Sequence, residues 1–168
     1  AKAYVDLTIT PANTPATIVI EKDTQFNAVV NGVSYIFSTS NSATINVNAN
    51  GIYSASNVEL QQGIQVTHRY TANVSDPDQK FVLPNANTDT STLVVQVQTS
   101  ASSSNLWTYS VANDTTSINS TANVYFLEED TDSKFRVYFG DGTVGRALTS
   151  GNIIVLKSLI ADATATNG

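Results

Sequence analysis

VYFLEEDTDSKFRVYFGDGTVGRALTSGNIIVLKSLI, running from Val124 to Ile160, is the stretch around which the rest of the chain is organised. Phe135, Val137 and Phe139 alternate with Lys134, Arg136 and Tyr138, the period-2 signature of a strand with one buried face. Gly140-Asp141-Gly142 comes next. Glycine takes positive φ without steric cost, and Asp can accept a hydrogen bond from the backbone two residues on, so a tight turn is expected here. A second glycine break, Ser150-Gly151-Asn152, releases Ile153-Ile154-Val155-Leu156, an apolar and β-branched run suited to a strand covered on both faces.

Working outward, Thr, Ser, Asn, Val and Ala dominate while the strong helix formers are scarce. An all-β fold of antiparallel sheets is expected, with little or no helix. The length of 168 residues suits one β-sandwich-sized domain or two small sandwich-like β sub-domains sharing an interface, and the second is expected. Ser75-Asp76-Pro77-Asp78 cannot continue a central strand, which places an N-terminal sub-domain over residues 1–75 and a C-terminal one over 76–168.

Only 13% of residues are charged and the balance is −6, so no basic stripe offers itself to a phosphate backbone. Nucleic acid is not expected as a partner. The apolar run at Ile153–Leu156 is far too short to span a bilayer, and no signal peptide is recognisable, so no membrane role is expected. With no Cys there is neither a disulfide framework nor a thiolate metal site.

Along the chain, Val5, Leu7 and Ile9 mark a first strand that stops at Pro11, and that strand has either an internal partner or the last strand to pair with. Asn31-Gly32 lies between two alternating runs and predicts a type I′ hairpin with Phe26 facing Phe37, Ala28 facing Tyr35 and Val30 facing Val33. Asn50-Gly51 is a weaker reversal, which in the same register sets Ser54 against Val47. Ile64, Val66, His68 and Tyr70 share one strand face, as do Leu93, Val95 and Val97.

Several residues invite a chemical reading. His68 is the sole histidine, and without Cys it cannot complete a transition-metal site unless carboxylates supply the rest, so a hydrogen-bonded core or rim histidine is the expectation. Glu128, Glu129, Asp130 and Asp132 suggest a carboxylate pair or a calcium loop. Neighbouring strand residues point to opposite faces, however, and the calcium-loop glycine and terminal Glu are missing, so a solvated hairpin loop is expected. Gly140-Asp141-Gly142 lacks the helix and the Lys-Ser/Thr of a phosphate loop. Trp107 with Tyr109 forms either a sugar-stacking platform or part of a core or subunit contact, the latter preferred. Asn73, Asn113 and Asn119 begin glycosylation triplets, which an Asn/Ser/Thr-rich chain produces by chance. No catalytic residue, cofactor site or metal site is assigned.

The order of an aromatic strand, two acids, an FGDG turn, G-R-x-L-x-x-G-N and a final apolar strand resembles the baseplate wedge proteins encoded by gene 6 of T-even contractile-tailed phages, and more distantly the baseplate J-like family. Tyr125, Phe126, Leu127, Glu128, Phe139, Gly140, Asp141, Gly142, Gly145, Leu148, Gly151 and Asn152 carry the resemblance. It implies a non-enzymatic structural subunit of the virion tail baseplate, assembled in the host cytoplasm. Its partners would be other wedge proteins and a second copy of itself, as a homodimer within a larger ring. The chain would be an internal fragment of a longer protein from a marine or cyanophage relative. Phe139, Gly140, Asp141, Gly142, Gly145, Gly151 and Asn152 form the structural turn motif. The competing reading is a host-surface or carbohydrate-binding β module. A third, a hydrolase, would need two carboxylates converging in a cleft.

Overall fold

The computed structural model describes residues 2–113 and 117–160. Strand makes up 57% of the protein, more than twice the roughly 20–25% usual for globular domains. There is no α-helix among the described residues, so the fold is all-β as expected. Two compact units are present, one within Ala1–Gln65 and one over Val66–Ile160.

The first unit holds β1 (Lys2–Ile9), β2 (Thr17–Ile20), β3 (Gln25–Val30), β4 (Val33–Thr39), β5 (Ala43–Asn46) and β6 (Tyr53–Gln62). Its four-stranded sheet runs β1-β6-β4-β3, and β2 pairs with β5 in a separate two-stranded sheet. Ile18, Ile20 and Ile45 of the small sheet pack on Leu7, Ile9, Tyr53 and Ala55 of the larger one. The result is a small sandwich, its core made by the inward-facing alternate residues of both layers. The Tyr53 hydroxyl, at the end of a fully buried side chain, donates to the Pro15 carbonyl.

The Asn31-Gly32 hairpin has the expected register, with Phe26 opposite Phe37, Ala28 opposite Tyr35 and Val30 opposite Val33. Asn31 and Gly32 both adopt positive φ, at 52° and 80°, as a type I′ turn demands. The second reversal differs from expectation, because Val47 bridges Tyr53 rather than Ser54. The Asn48 side chain accepts from the amides of Asn50 and Ile52, and this organises a wider loop than a two-residue turn. The first strand pairs antiparallel with β6, which resolves the alternative left by its sequence.

The second unit contains β7 (Ile64–Thr71), β8 (Phe81–Leu83), β9 (Thr88–Gln98), β10 (Leu106–Val111), β11 (Val124–Glu129), β12 (Phe135–Phe139) and β13 (Ile153–Ile160). They form one seven-stranded sheet in the order β7-β13-β9-β10-β11-β12-β8. Its two ends meet, since the Tyr70 hydroxyl on β7 donates to the Val82 carbonyl on β8 and the Tyr70 and Phe81 rings touch edge to face. This sheet is therefore a nearly closed barrel rather than a pair of opposed layers. Closure removes exposed strand edges. Val95, Val97, Tyr109, Tyr125, Val137, Ile154 and Leu156 fill its interior.

The last strand is buried along both faces from Ile153 to Leu156, as its unbroken apolar run predicts. One pairing departs from the antiparallel expectation: β10 and β11 run parallel, with Ser110 beside Val124 and Val111 beside Tyr125. The long connection between them allows it, because a parallel pair needs a crossover that a tight turn cannot supply. The unit boundary falls between Gln65 and Val66, ahead of the Ser75–Asp78 break. That break is a loop joining β7 to β8 within the second unit, while β7 is already bound beside β13.

Candidate functional site

The residues of the FGDG turn and of the Ser150–Asn152 break assemble into one corner between β12 and β13. Phe139 anchors it. Its ring stands edge-on to Phe81 at 5.7 Å and to Tyr109 at 5.3 Å, inside the barrel core. Gly140 follows at a point where the chain crosses itself. A Cβ there would sit 2.3 Å from the carbonyl carbon of Gly145 and 2.3 Å from the carbonyl oxygen of Val144. Its backbone is not in the positive-φ region, so Gly140 is glycine for close approach, and the turn's need for positive φ is met at Gly142 (87°) and Gly145 (79°) instead.

Asp141 closes the loop as its residue type predicts. Its Oδ1 accepts from the amides of Thr143 at 2.8 Å and Val144 at 2.9 Å. These two donors, Val144 first, hold its carboxyl below the ordinary Asp range. The Gly142 amide donates to the Gly145 carbonyl at 3.0 Å, and Gly145 and Arg146 donate in turn to the carbonyls of Asn119 (3.1 Å) and Ala122 (2.8 Å).

Asn152 locks the other end. Its Oδ1 accepts from the Thr149 amide and its Nδ2 donates to the Thr99 carbonyl, both at 2.9 Å. Its own carbonyl accepts from Ala72, and Ala72 in turn accepts from Gly151, each at 2.8 Å. Thus the motif residues fix the β12–β13 passage to three distant segments, around residues 72, 99 and 119–122. Polar side chains and main chain of the corner are turned on one another.

The other chemical candidates are dispersed. Glu128 accepts from Arg136 Nε at 3.0 Å and Nη2 at 2.6 Å, and from the Tyr138 hydroxyl at 3.0 Å. Arg136 and then Tyr138 hold this carboxyl below the usual Glu range. Asp130 lies 3.7 Å from Lys80 and Asp132 lies 3.8 Å from Lys134, so three of the four acids face three different cations. Among the described residues no three His, Asp or Glu side chains gather as a metal ion would require. Only Asp130 and Asp132 lie in the hairpin loop, which the Asp130 amide closes by donating to the Lys134 carbonyl at 2.7 Å; Glu128 and Glu129 instead belong to β11, paired with Arg136 and Phe135 of β12. His68 is half-buried on β7, on the same strand face as Val66 and Tyr70. Of the glycosylation triplets, Asn73 and Asn119 lie in turns, whereas Asp114 and Thr115 of the Asn113 triplet lie outside the described residues.

The aromatic pair is divided. Tyr109 is 4% exposed and part of the core, whereas Trp107 is 38% exposed. The Arg146 guanidinium lies over the Trp107 ring, 4.6 Å from its centroid, and donates to the Thr121 carbonyl at 3.2 Å. Such stacking is favourable by the ring quadrupole. One face of the only Trp is therefore already occupied, so a two-ring sugar platform is not assembled here. The chain matches no known family model and no curated protein.

Sequence reasoning gave Arg146 no role beyond its place in the motif, and it missed the carbonyl acceptors at Thr99, Asn119 and Ala122. Main-chain acceptors carry no residue signature. The corner's electrostatics are testable. A carboxylate with a depressed folded-state pKa contributes stability above its unfolded pKa, and that contribution is lost as pH falls through the folded value. Side-chain carbonyl NMR titration is expected to place the Asp141 and Glu128 midpoints below those of ordinary Asp and Glu. Replacing Thr143 by Pro, which removes one of the two donors to Asp141, is expected to move the Asp141 midpoint up and leave Glu128 unchanged.

Proposed function

We propose that the chain is a structural piece of a contractile phage tail baseplate wedge, which holds neighbouring wedge proteins in position and passes on their rearrangement during infection. The observation that supports this reading is the gathering of the resemblance residues. Tyr125, Phe139, Gly140, Gly142, Gly145, Gly151 and Asn152 belong to one sheet and one corner, joined mainly by backbone contacts. Such an arrangement sets shape. It resists shear because main-chain bonds and the Phe139 anchor must break together for the corner to move.

The reading makes the chain non-enzymatic, places it in the virion, and gives it other wedge proteins and its own copies as partners. Co-purification of the full chain with the products of adjacent tail genes tests it. Recovery of a stable complex at physiological salt is the expected result, and failure to bind any of them overturns it.

One observation favours the alternative of a host-surface or carbohydrate-binding module: Trp107 stays partly exposed despite the Arg146 guanidinium stacked on it. Glycan-array screening and quenching of the single Trp fluorescence decide between the two. The wedge reading expects neither signal, and saturable quenching by a glycan would favour the alternative.

A further inference from the structure

We infer that the outer edge of β3 is a pairing site for the same strand of a second copy of this chain, which would join two four-stranded sheets across a two-fold axis. The sheet order leaves β1 and β3 as its two edges. The two are treated differently by the sequence. β1 carries Lys2 and Asp6 and has a register break between Val5 and Leu7, devices that discourage a further strand from adding. β3 reads Gln25-Phe26-Asn27-Ala28-Val29-Val30, with no charge, no Pro and an unbroken register.

The backbone phase fixes which groups are offered. The Gly63 amide donates to the Ile36 carbonyl at 2.9 Å, so Ile36 directs its main chain toward β6 and away from β3. Antiparallel pairs alternate between hydrogen-bonded and non-bonded. Val29 opposite Ser34, Asn27 opposite Ile36 and Gln25 opposite Ser38 are thus the non-bonded pairs. Gln25, Asn27 and Val29 therefore turn their N–H and C=O groups outward, where no strand among the described residues meets them. An open recess lined by Gln25, Phe26, Asn27, Ser34 and Ile36 lies alongside.

The hairpin also reaches past its support. β6 pairs with β4 only at Phe37, Ser38 and Thr39, so the distal half of the hairpin is two-stranded, a form that is marginal in water by itself. Val29, Val30 and Val33 are 67%, 54% and 47% exposed at its tip. Pairing along β3 would cover part of Val29 and Val30, which favours association.

Charge and shape point to a second copy as the occupant. The chain carries a net −6, yet no Lys, Arg, Asp or Glu occurs from Thr24 to Val58. Two copies can therefore meet here without like-charge repulsion, as an isologous contact requires. With the axis at Asn27, each Gln25 lies opposite the other copy's Val29 and the two Asn27 amides face each other. On the opposite face each Phe26 meets an Ala28, large against small. The inference deepens the self-association in the wedge reading and rests on that reading for the dimer's role, but not for its geometry.

Sedimentation velocity on the full chain, from micromolar to millimolar concentration, tests it. A monomer–dimer equilibrium is expected. Asn27→Lys and Asn27→Asp, at an exposed position, should each leave the circular dichroism unchanged and weaken dimerisation by about tenfold or more, because like charges meet on the axis. Mixing the two variants should restore a heterodimer. A chain monomeric at millimolar concentration, or a dimer indifferent to both substitutions, overturns the pairing. A β3 dimer that binds no tail-gene product would leave the pairing standing and remove the wedge reading, and a monomer that binds them would do the reverse.

Discussion

Gly140→Ala is expected to destabilise the second unit by about 3 kcal/mol or more, an effect in the upper range for single substitutions. The added methyl would lie 2.3 Å from the Val144 oxygen and the Gly145 carbonyl carbon, and 2.4 Å from the Gly145 oxygen. All three are main-chain atoms of a segment held by the Asn119 and Ala122 carbonyls, so nothing flexible can yield. For a protein of this size each kcal/mol is worth roughly 2–4 °C in Tm, so a melting point lower by about 10 °C is anticipated. Gly151→Ala is the informative comparison. Its φ is 89° but its Cβ would meet no atom within 4 Å, so only a left-handed-backbone cost of about 1–2 kcal/mol is expected. If the two variants melt together, crowding at Gly140 is not what fixes the corner.

Asn152→Ala is expected to cost about 2–3 kcal/mol, since truncation strands the Thr149 amide and the Thr99 carbonyl at a buried site. The urea midpoint should fall with the m-value unchanged, because the folded and unfolded surfaces stay nearly the same. The loss should exceed that of Asn119→Ala, whose side chain among the described residues accepts from the amide and hydroxyl of Thr121 in an exposed turn. An Asn152→Ala protein as stable as the parent would show that solvent replaces the clamp.

Much of the architecture was legible because certain residues leave few options. Asn31-Gly32 set a turn type, and the turn set the register of every pair from Val30–Val33 to Gln25–Ser38. Ile153–Leu156 announced a strand buried on both faces. By contrast β6, the longest strand of the first unit, was hidden. Tyr53 and Ala55 point inward in one phase and Val58, Leu60 and Gln62 in the other, because a bulge at Asn57 (φ 58°) shifts the alternation by one residue. The Asp6 carboxylate accepts from the Asn57 amide at 2.9 Å and holds that bulge. No period-2 pattern survives such a shift.

The corner was legible only in part, for a similar reason. Asp141 and Gly142 follow local rules, and Asp141 caps its own loop as expected. Gly140 answers to a backbone brought in from five residues further along, and Arg146 to a Trp on another strand. Neither demand is written in the neighbouring residues. The parallel pairing of β10 with β11 is equally non-local, since it depends on where a long connection returns the chain.

The absence of fixed charge from Thr24 to Val58 also governs how this part of the molecule responds to its medium. Ionic strength acts on charges through screening, over roughly 8–10 Å at physiological salt. The outer edge of β3 carries no charge of its own, so contacts made along it would change little on dilution into fresh water or transfer to brine.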